Sequence, residues 1–301
     1  MIDNAIHIES VSKTFGGVKA LDNISLDINY GEIYGLLGPD GAGKTTLFRI
    51  LTTLMLPDSG TASVCGFDTI KNYTQIRRIS GYMPGRFSLY PDLSVEENLK
   101  FFASLFGGDI ADNFDIIEPI FNQLAPFKNR RAANLSGGMK QKLALCCALI
   151  HRPEILFLDE PTTGVDAVSR SEFWDILSNI KHTGMPIFVS TPYMDEASRC
   201  DRISLINSGK ILDTGTLDEI LKRNKMPLLA VRGKNNYQTL LALRKVDGVK
   251  MAFLSGEHIH VFTEERFNPD ILSSINEITE IKEITPNIED VFIKIMGNGC
   301  K

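Results

Sequence analysis

Gly38-Pro39-Asp40-Gly41-Ala42-Gly43-Lys44-Thr45-Thr46 has the spacing G-x-x-x-x-G-K-[ST], a loop suited to holding phosphate. Glycines let the backbone curl so that successive N–H groups point at phosphate oxygens. Lys44 adds a positive charge for β- and γ-phosphates, and the Thr45 hydroxyl is a ligand for Mg²⁺. Such a loop needs a rigid strand before it and the positive end of a helix after it. Glu32 to Leu37 is mostly apolar and reads as a buried strand; Thr45 to Leu54 reads as the helix whose N-terminus faces the anion.

Two more segments bear chemistry. Leu135-Ser136-Gly137-Gly138-Met139-Lys140-Gln141 opens an apolar helix. The Ser136 hydroxyl, with Gly137 and Gly138 allowing close backbone approach, makes a second anion site at a helix start. Taken alone, the same residues are also an ordinary cap. Ile155-Leu156-Phe157-Leu158-Asp159-Glu160-Pro161 makes the pattern specific. An apolar strand ending in two acids sets carboxylates at the C-terminal edge of a parallel sheet, where ligands bind. Asp159 is placed to hold Mg²⁺ through water, and Glu160 to polarise an attacking water.

The elements that must carry these residues follow from periodicity. Ile24 to Ile28 alternates as a half-buried strand does, whereas Ile155 to Leu158 and Ile187 to Val189 are continuous apolar runs like central parallel strands. Helical patterns lie over Met139 to Leu149 and Ser169 to Ile180. The fold class is α/β with a mainly parallel sheet. Residues 89–134 interrupt the alternation with two helices, Val95 to Leu105 and Ile110 to Leu124. After Arg223 the order βαββαβ predicts a small ferredoxin-like α+β domain, with strands at Pro227 to Arg232, Val249 to Leu254, His258 to Phe262 and Ile281 to Ile284. Its helices fall at Asn236 to Leu243 and Pro269 to Asn276. The domains therefore divide as 1–223 and 224–301.

Composition narrows the class. A chain of 301 residues with 43% hydrophobic content supports a sizeable core, and a net charge of −5 argues against nucleic acid or an anionic membrane surface as partner. The five cysteines have no C-x-x-C spacing and read as thiols of a reducing cytosol. The N-terminus lacks a signal core, and the longest apolar run, Leu143 to Ile150, is too short to span a bilayer. A soluble chain is expected, with any membrane role exerted through a partner. His258 and His260 share one face of a strand; with no third ligand nearby they read as surface residues rather than a metal pair. Trp174, beside Phe173 and Ile176, reads as packing.

The phosphate loop, the Ser136-Gly137-Gly138 segment and the strand ending in Asp159-Glu160 occur in one order that resembles the nucleotide-binding subunit of an ATP-binding cassette (ABC) transporter. The resemblance runs from Ile6 to about Ile220. It implies a P-loop NTPase fold, with an antiparallel β subdomain and the helical insert of 89–134. It also implies ATP and Mg²⁺ as ligands: the loop Gly38 to Thr46 on the phosphates, Thr45 and Asp159 on the metal, Lys44 and Glu160 in catalysis, and Phe15 stacked on adenine. Gly164-Val165-Asp166-Ala167 matches the loop that communicates between two cassettes, while Asp166 also suits a helix cap. In the family two cassettes face each other head to tail, and Ser136, Gly137 and Gly138 of one contact the γ-phosphate held by the other. A second cassette and a separate membrane permease are thus the implied partners.

Two positions depart from the family pattern. Gly85 stands where a glutamine is usual after the strand leading into the insert, and Pro192 where a histidine is usual after Ile187 to Val189. Both losses remove groups that sense the γ-phosphate, and proline lacks even a backbone donor. Thr191 and Arg86 are the neighbouring groups able to compensate. Slow hydrolysis at this chain's own loop is expected, together with an asymmetric dimer. Tyr90 to Leu99 and Pro286 to Phe292 resemble the drug- and polysaccharide-type exporter branch; the tail spacing is also that of a plain amphipathic helix. Other readings are a nucleotide-gated regulatory subunit, or a soluble cassette acting on ribosomes or DNA. A single cassette without a heptad run disfavours the last.

Overall fold

The computed structural model describes residues 4–85, 89–275 and 277–298. Residues divide into two units, Met1–Thr216 and Leu217–Lys301. The first opens with a long hairpin, β1 (Asn4–Phe15) and β2 (Val18–Asn29), then β3 (Ile33–Leu37) and α1 (Lys44–Leu51). It continues through β4 (Ser59–Val64), β5 (Phe67–Asp68), α2 (Tyr73–Ile79) and β6 (Ser80–Met83). The helical insert contributes α3 (Val95–Leu105) and α4 (Phe114–Leu124), and α5 (Gly137–Leu149) returns to the sheet. β7 (Ile155–Asp159), α6 (Ala167–Lys181), β8 (Ile187–Thr191), β9 (Arg202–Asn207) and β10 (Lys210–Gly215) complete the unit.

Six strands form the central sheet in the order β10-β9-β3-β8-β7-β6. All neighbours are parallel except the edge pair β10 and β9. β3, β7 and β8 are buried at every residue, which is why their sequences are continuous rather than alternating. Side chains still alternate between two cores. Leu156, Leu158, Ile187 and Val189 face the helices of the insert side, whereas Ile155, Phe157 and Phe188 face α1 and the second sheet. That second sheet, β2-β1-β4-β5, is antiparallel. Phe48 on α1 stacks on Phe188 with centroids 4.5 Å apart and meets Phe157 edge-on at 6.1 Å. The aromatic cluster fixes α1, and therefore the loop before it, against the sheet.

Local signals explain the insert. Ser94 Oγ accepts from Glu97 N at 3.2 Å while Glu97 Oε2 accepts from Ser94 N at 2.8 Å, a reciprocal cap that starts α3 at Val95. The second predicted helix is divided: a 3-10 turn over Ile110–Asn113 precedes α4.

The second unit contains α7 (Leu217–Arg223), β11 (Leu228–Gly233), α8 (Asn236–Leu243), β12 (Val249–Ser255), β13 (His258–Thr263), β14 (Ile278–Ile284) and α9 (Ile288–Asn298). Its sheet runs β12-β13-β11-β14, all antiparallel, the ferredoxin-like arrangement. The second expected helix is instead a 3-10 turn over Pro269–Ser274, within which Pro269 and the Asn268 cap fix only the start. The reading of His260 as a surface residue is wrong. It is 9% exposed, and its Nδ1 lies 2.6 Å from Asp290 Oδ1, on α9, a buried hydrogen bond.

Candidate functional site: the phosphate loop and paired acids

Three strand ends meet at the C-terminal edge of the central sheet. β3 leads into the Gly38 loop, β7 ends at Asp159, and β8 ends at Thr191. The loop's curl demands glycine at particular places. Gly43, the cap of α1, has φ +108°, and a Cβ there would fall 2.4 Å from Ala20 O; a Cβ on Gly38 would fall 2.1 Å from Ile206 O. Gly38 N donates to Thr191 O at 3.2 Å, and Gly209 N to Ala42 O at 2.9 Å, so the loop is anchored on both sides. The first N–H groups of α1 have no acceptor within the helix and are suited to an anion.

Lys44, the first residue of α1, is 3% exposed. Its Nζ donates to Gly38 O at 2.7 Å and Pro39 O at 3.0 Å and lies 3.0 Å from Glu160 Oε1. The ammonium thus stands between the loop and the second acid. Asp159 is buried at 1% exposure, and its Oδ1 accepts from Ser190 Oγ at 2.6 Å. Glu160 takes φ +52°, a left-handed conformation costly for a non-glycine residue. Its N–H donates to Ser190 Oγ at 3.0 Å and lies 3.0 Å from Ser190 O, which holds the turn in place. Thr45, Asp159, Glu160 and Gly85 line one cavity of ≈ 420 Å³ together with Arg49 and Tyr82. Burial pushes the Tyr82 phenol up to about 12; the Asp159 charge adds to this and Arg49 opposes it.

One hydroxyl and one carboxylate facing a shared cavity suit Mg²⁺, which keeps several waters and completes its shell with phosphate oxygens. No group of three His, Cys, Asp or Glu suited to a metal occurs among the described residues, so a metal preferring an all-protein cage is a poorer fit.

The other sequence candidates lie apart from this cavity. Phe15, at the end of β1, is 46% exposed, an aromatic platform rather than a core ring. Ser136 Oγ caps α5 by accepting from Met139 N at 3.3 Å, and Gly138 leaves no room for a side chain, its Cβ falling 2.6 Å from Ser169 Cβ. Gly137 lines a separate cavity of ≈ 300 Å³ with Pro84, Gly85, Thr163, Gly164 and Val165. Asp166 caps α6, accepting from Ser169 N at 3.0 Å. Thr191 cannot compensate for Pro192 through its hydroxyl, which is buried and donates to Glu196 Oε2 at 2.5 Å. Arg86 lies outside the described residues, as does Cys300. Ser190 and Glu196 had no sequence signal beyond their place at and just past an apolar strand.

A family model described as ABC transporter matches residues 21–163. The Daunorubicin resistance ATP-binding protein DrrA3 of Streptomyces coeruleorubidus is 36% identical over 99% of this chain and 98% of its own length. The chain belongs to the ABC transporter family. The Nod factor export ATP-binding protein I of Burkholderia lata is 38% identical, covering 97% of each chain. The Probable multidrug ABC transporter ATP-binding protein YbhF of Escherichia coli (strain K12) is 38% identical over 99% of this chain but 53% of its own length, so the cassette spans about half of that relative. Among solved structures, one described as the ATP binding subunit of an ABC transporter superposes with a TM-score of 0.66 at 27% identity, over 73% of this chain and 92% of its own. A dimeric cassette in a post-hydrolysis state, bound to ADP and Pi, superposes with a TM-score of 0.63 at 25% identity, over 70% and 98%. ATP is therefore the ligand of this family's phosphate loop, and ATPase activity its expected chemistry.

Proposed function

We propose that this chain is the ATP-binding subunit of an export system, binding MgATP at a cassette-dimer interface and driving a separate membrane permease. The arrangement of Thr45, Asp159 and Glu160 around one cavity, with the Lys44 ammonium 3.0 Å from Glu160 Oε1, carries the reading. A triphosphate draws Lys44 away from Glu160, freeing that carboxylate to accept a proton from the attacking water. Thr45 and, through water, Asp159 would hold Mg²⁺, whose charge would offset that of the phosphates. Phe15 stacks on the adenine, and Ser136, Gly137 and Gly138 complete the γ-phosphate site of a second cassette. The drug-resistance and Nod factor exporters among its relatives support export as the process.

Gly85 and Pro192 support a slow own site and pairing with a different, competent cassette. They also favour a second reading, a regulatory subunit that binds ATP and barely hydrolyses it. The chain acts at the inner face of the cell membrane through that permease, as its exporter relatives suggest; no helix among the described residues is long and apolar enough to cross a bilayer. Single-turnover hydrolysis tests the slow site: a rate of several per second from the isolated chain refutes it. Hydrolysis that appears only in the co-purified complex with a second cassette separates the energising subunit from the regulatory one.

A further inference from the structure

Glu196 lies in a short 3-10 helix, Met194–Arg199, just beyond Pro192, and is 3% exposed. Its two carboxylate oxygens serve two different loops. Oε1 accepts from Thr162 Oγ1 at 2.8 Å and Oε2 from Thr191 Oγ1 at 2.5 Å. Both threonines are buried, at 1% and 0% exposure, and Arg170 Nε stands 3.9 Å from Oε1.

Each threonine has a second attachment. Thr191 O accepts from Gly38 N of the phosphate loop at 3.2 Å. Thr162 O accepts from Val165 N at 3.2 Å, and Thr163 N donates to Glu160 O at 3.2 Å, which ties Thr162 to the turn between the paired acids and Asp166. A Cβ on Gly137 would meet Gly164 O at 3.2 Å, so that turn also abuts the start of α5.

A buried carboxylate is tolerated only while its donors stay in place. With one hydroxyl donor on each side, displacement of either loop leaves the charge short of a donor, so the two loops favour a single relative arrangement. We propose that Glu196 is a positioning residue that couples the phosphate loop, through Thr191, to the Thr162–Ala167 turn, through Thr162. In this chain the position after Thr191 is Pro192, which offers no donor of its own, so the link runs through the threonine hydroxyl and Glu196. The inference rests on the reading of Gly164 to Ala167 as the loop facing a second cassette.

Hydrogen exchange of the full chain, dilute enough to be monomeric, with and without MgATP, is the test. In the wild type MgATP slows the amides of Gly41 to Thr46 and also those of Thr163 to Ala167, the latter on the order of tenfold. Thr162→Ser retains both effects. Thr162→Val retains the first and keeps less than about a twofold effect at the second. Glu196→Gln, which preserves side-chain size, gives the same loss and stands in if the valine variant does not fold. Full protection of Thr163 to Ala167 in both Thr162→Val and Glu196→Gln overturns the coupling. No protection at Gly41 to Thr46 in the wild type overturns the nucleotide-site reading instead.

Discussion

Gly85→Gln is expected to make this chain a faster ATPase. Gly85 shares its cavity with Thr45, Asp159 and Glu160, so a side chain added there points the family's missing amide at the reacting region. The backbone permits it, since Gly85 is not among the positive-φ glycines. The space is tighter: a Cβ would sit 3.0 Å from Asp159 O and 3.8 Å from Asp159 Cγ. Relieving that contact requires a shift of a few tenths of an ångström and costs about 1 kcal/mol. A regained transition-state hydrogen bond contributes about 2.7 kcal/mol at the low end of measured losses. The difference, about 1.7 kcal/mol, predicts an increase of roughly twentyfold in the single-turnover rate. The assay mixes excess chain with labelled ATP and Mg²⁺ and follows phosphate release. Gly85→Ala adds the Cβ without the amide and is expected to be no faster than wild type. If the glutamine variant binds ATP normally yet hydrolyses it no faster than the alanine variant, the missing amide does not limit this site. Adding Pro192→His to the glutamine variant is then expected to raise the rate further.

Phe15→Ala is expected to weaken ATP binding by about tenfold, the scale of one lost base–aromatic stack, while leaving inorganic triphosphate binding unchanged; competition titrations against a fluorescent nucleotide measure both. Phe15 is half exposed, so the melting temperature should hold. His151 stacks on Phe106 with ring centroids 3.7 Å apart, and burial pulls its pKa down to about 4 against a weaker opposite pull from Ser80 O. The unfolded imidazole titrates near 6.5, so the unfolded chain binds the extra proton. The stabilisation is complete above that pH and falls by about 1 kcal/mol per unit as the pH drops toward 4. His151→Phe should flatten that slope in denaturant titrations at pH 7 and 5. His260→Ala removes the partner of Asp290 Oδ1, a carboxyl group 1% exposed whose Oδ2 accepts from Asn287 N, and should cost the second unit about 2 kcal/mol, read by its unfolding midpoint.

The elements with strong local punctuation were readable from the sequence. α3 begins where its reciprocal cap stands, and the phosphate loop could be placed because its glycines and the flanking strand and helix agree. The paired acids were legible for the same reason, as a run of apolar residues ending in charge. What escaped depends on partners distant in sequence. His260 alternates within β13 like a surface residue, and only α9, 30 residues later, supplies Asp290 to bury it. Ser190 and Glu196 look like any polar residues after a strand. Their roles come from β8 lying beside both β3 and β7, a pairing that crosses more than 150 residues on one side. The left-handed backbone at Glu160 is likewise a consequence of the turn imposed on it rather than of its residue type.

That turn bears on whether one chain suffices. Glu160 is strained, bonded through its N–H to Ser190, and paired with Lys44, so within this chain the acid faces the phosphate loop. Gly137 instead lines a cavity with Thr163 to Val165, and the Gly85 segment borders both cavities. On the proposed reading, a phosphate held by Lys44 and Thr45 would find its base in the same chain but neither an amide at 85 nor the Ser136 to Gly138 segment there. The first absence is a property of this sequence and can be reversed by substitution; the second, on the same proposed reading, would be supplied by another cassette. The two are separable by experiment. If Gly85→Gln speeds hydrolysis only when a second cassette is present, the missing amide acts on a site that dimerisation has already completed. If it speeds the dilute monomer equally, the second cassette contributes little to the chemical step, and the half-site interpretation fails.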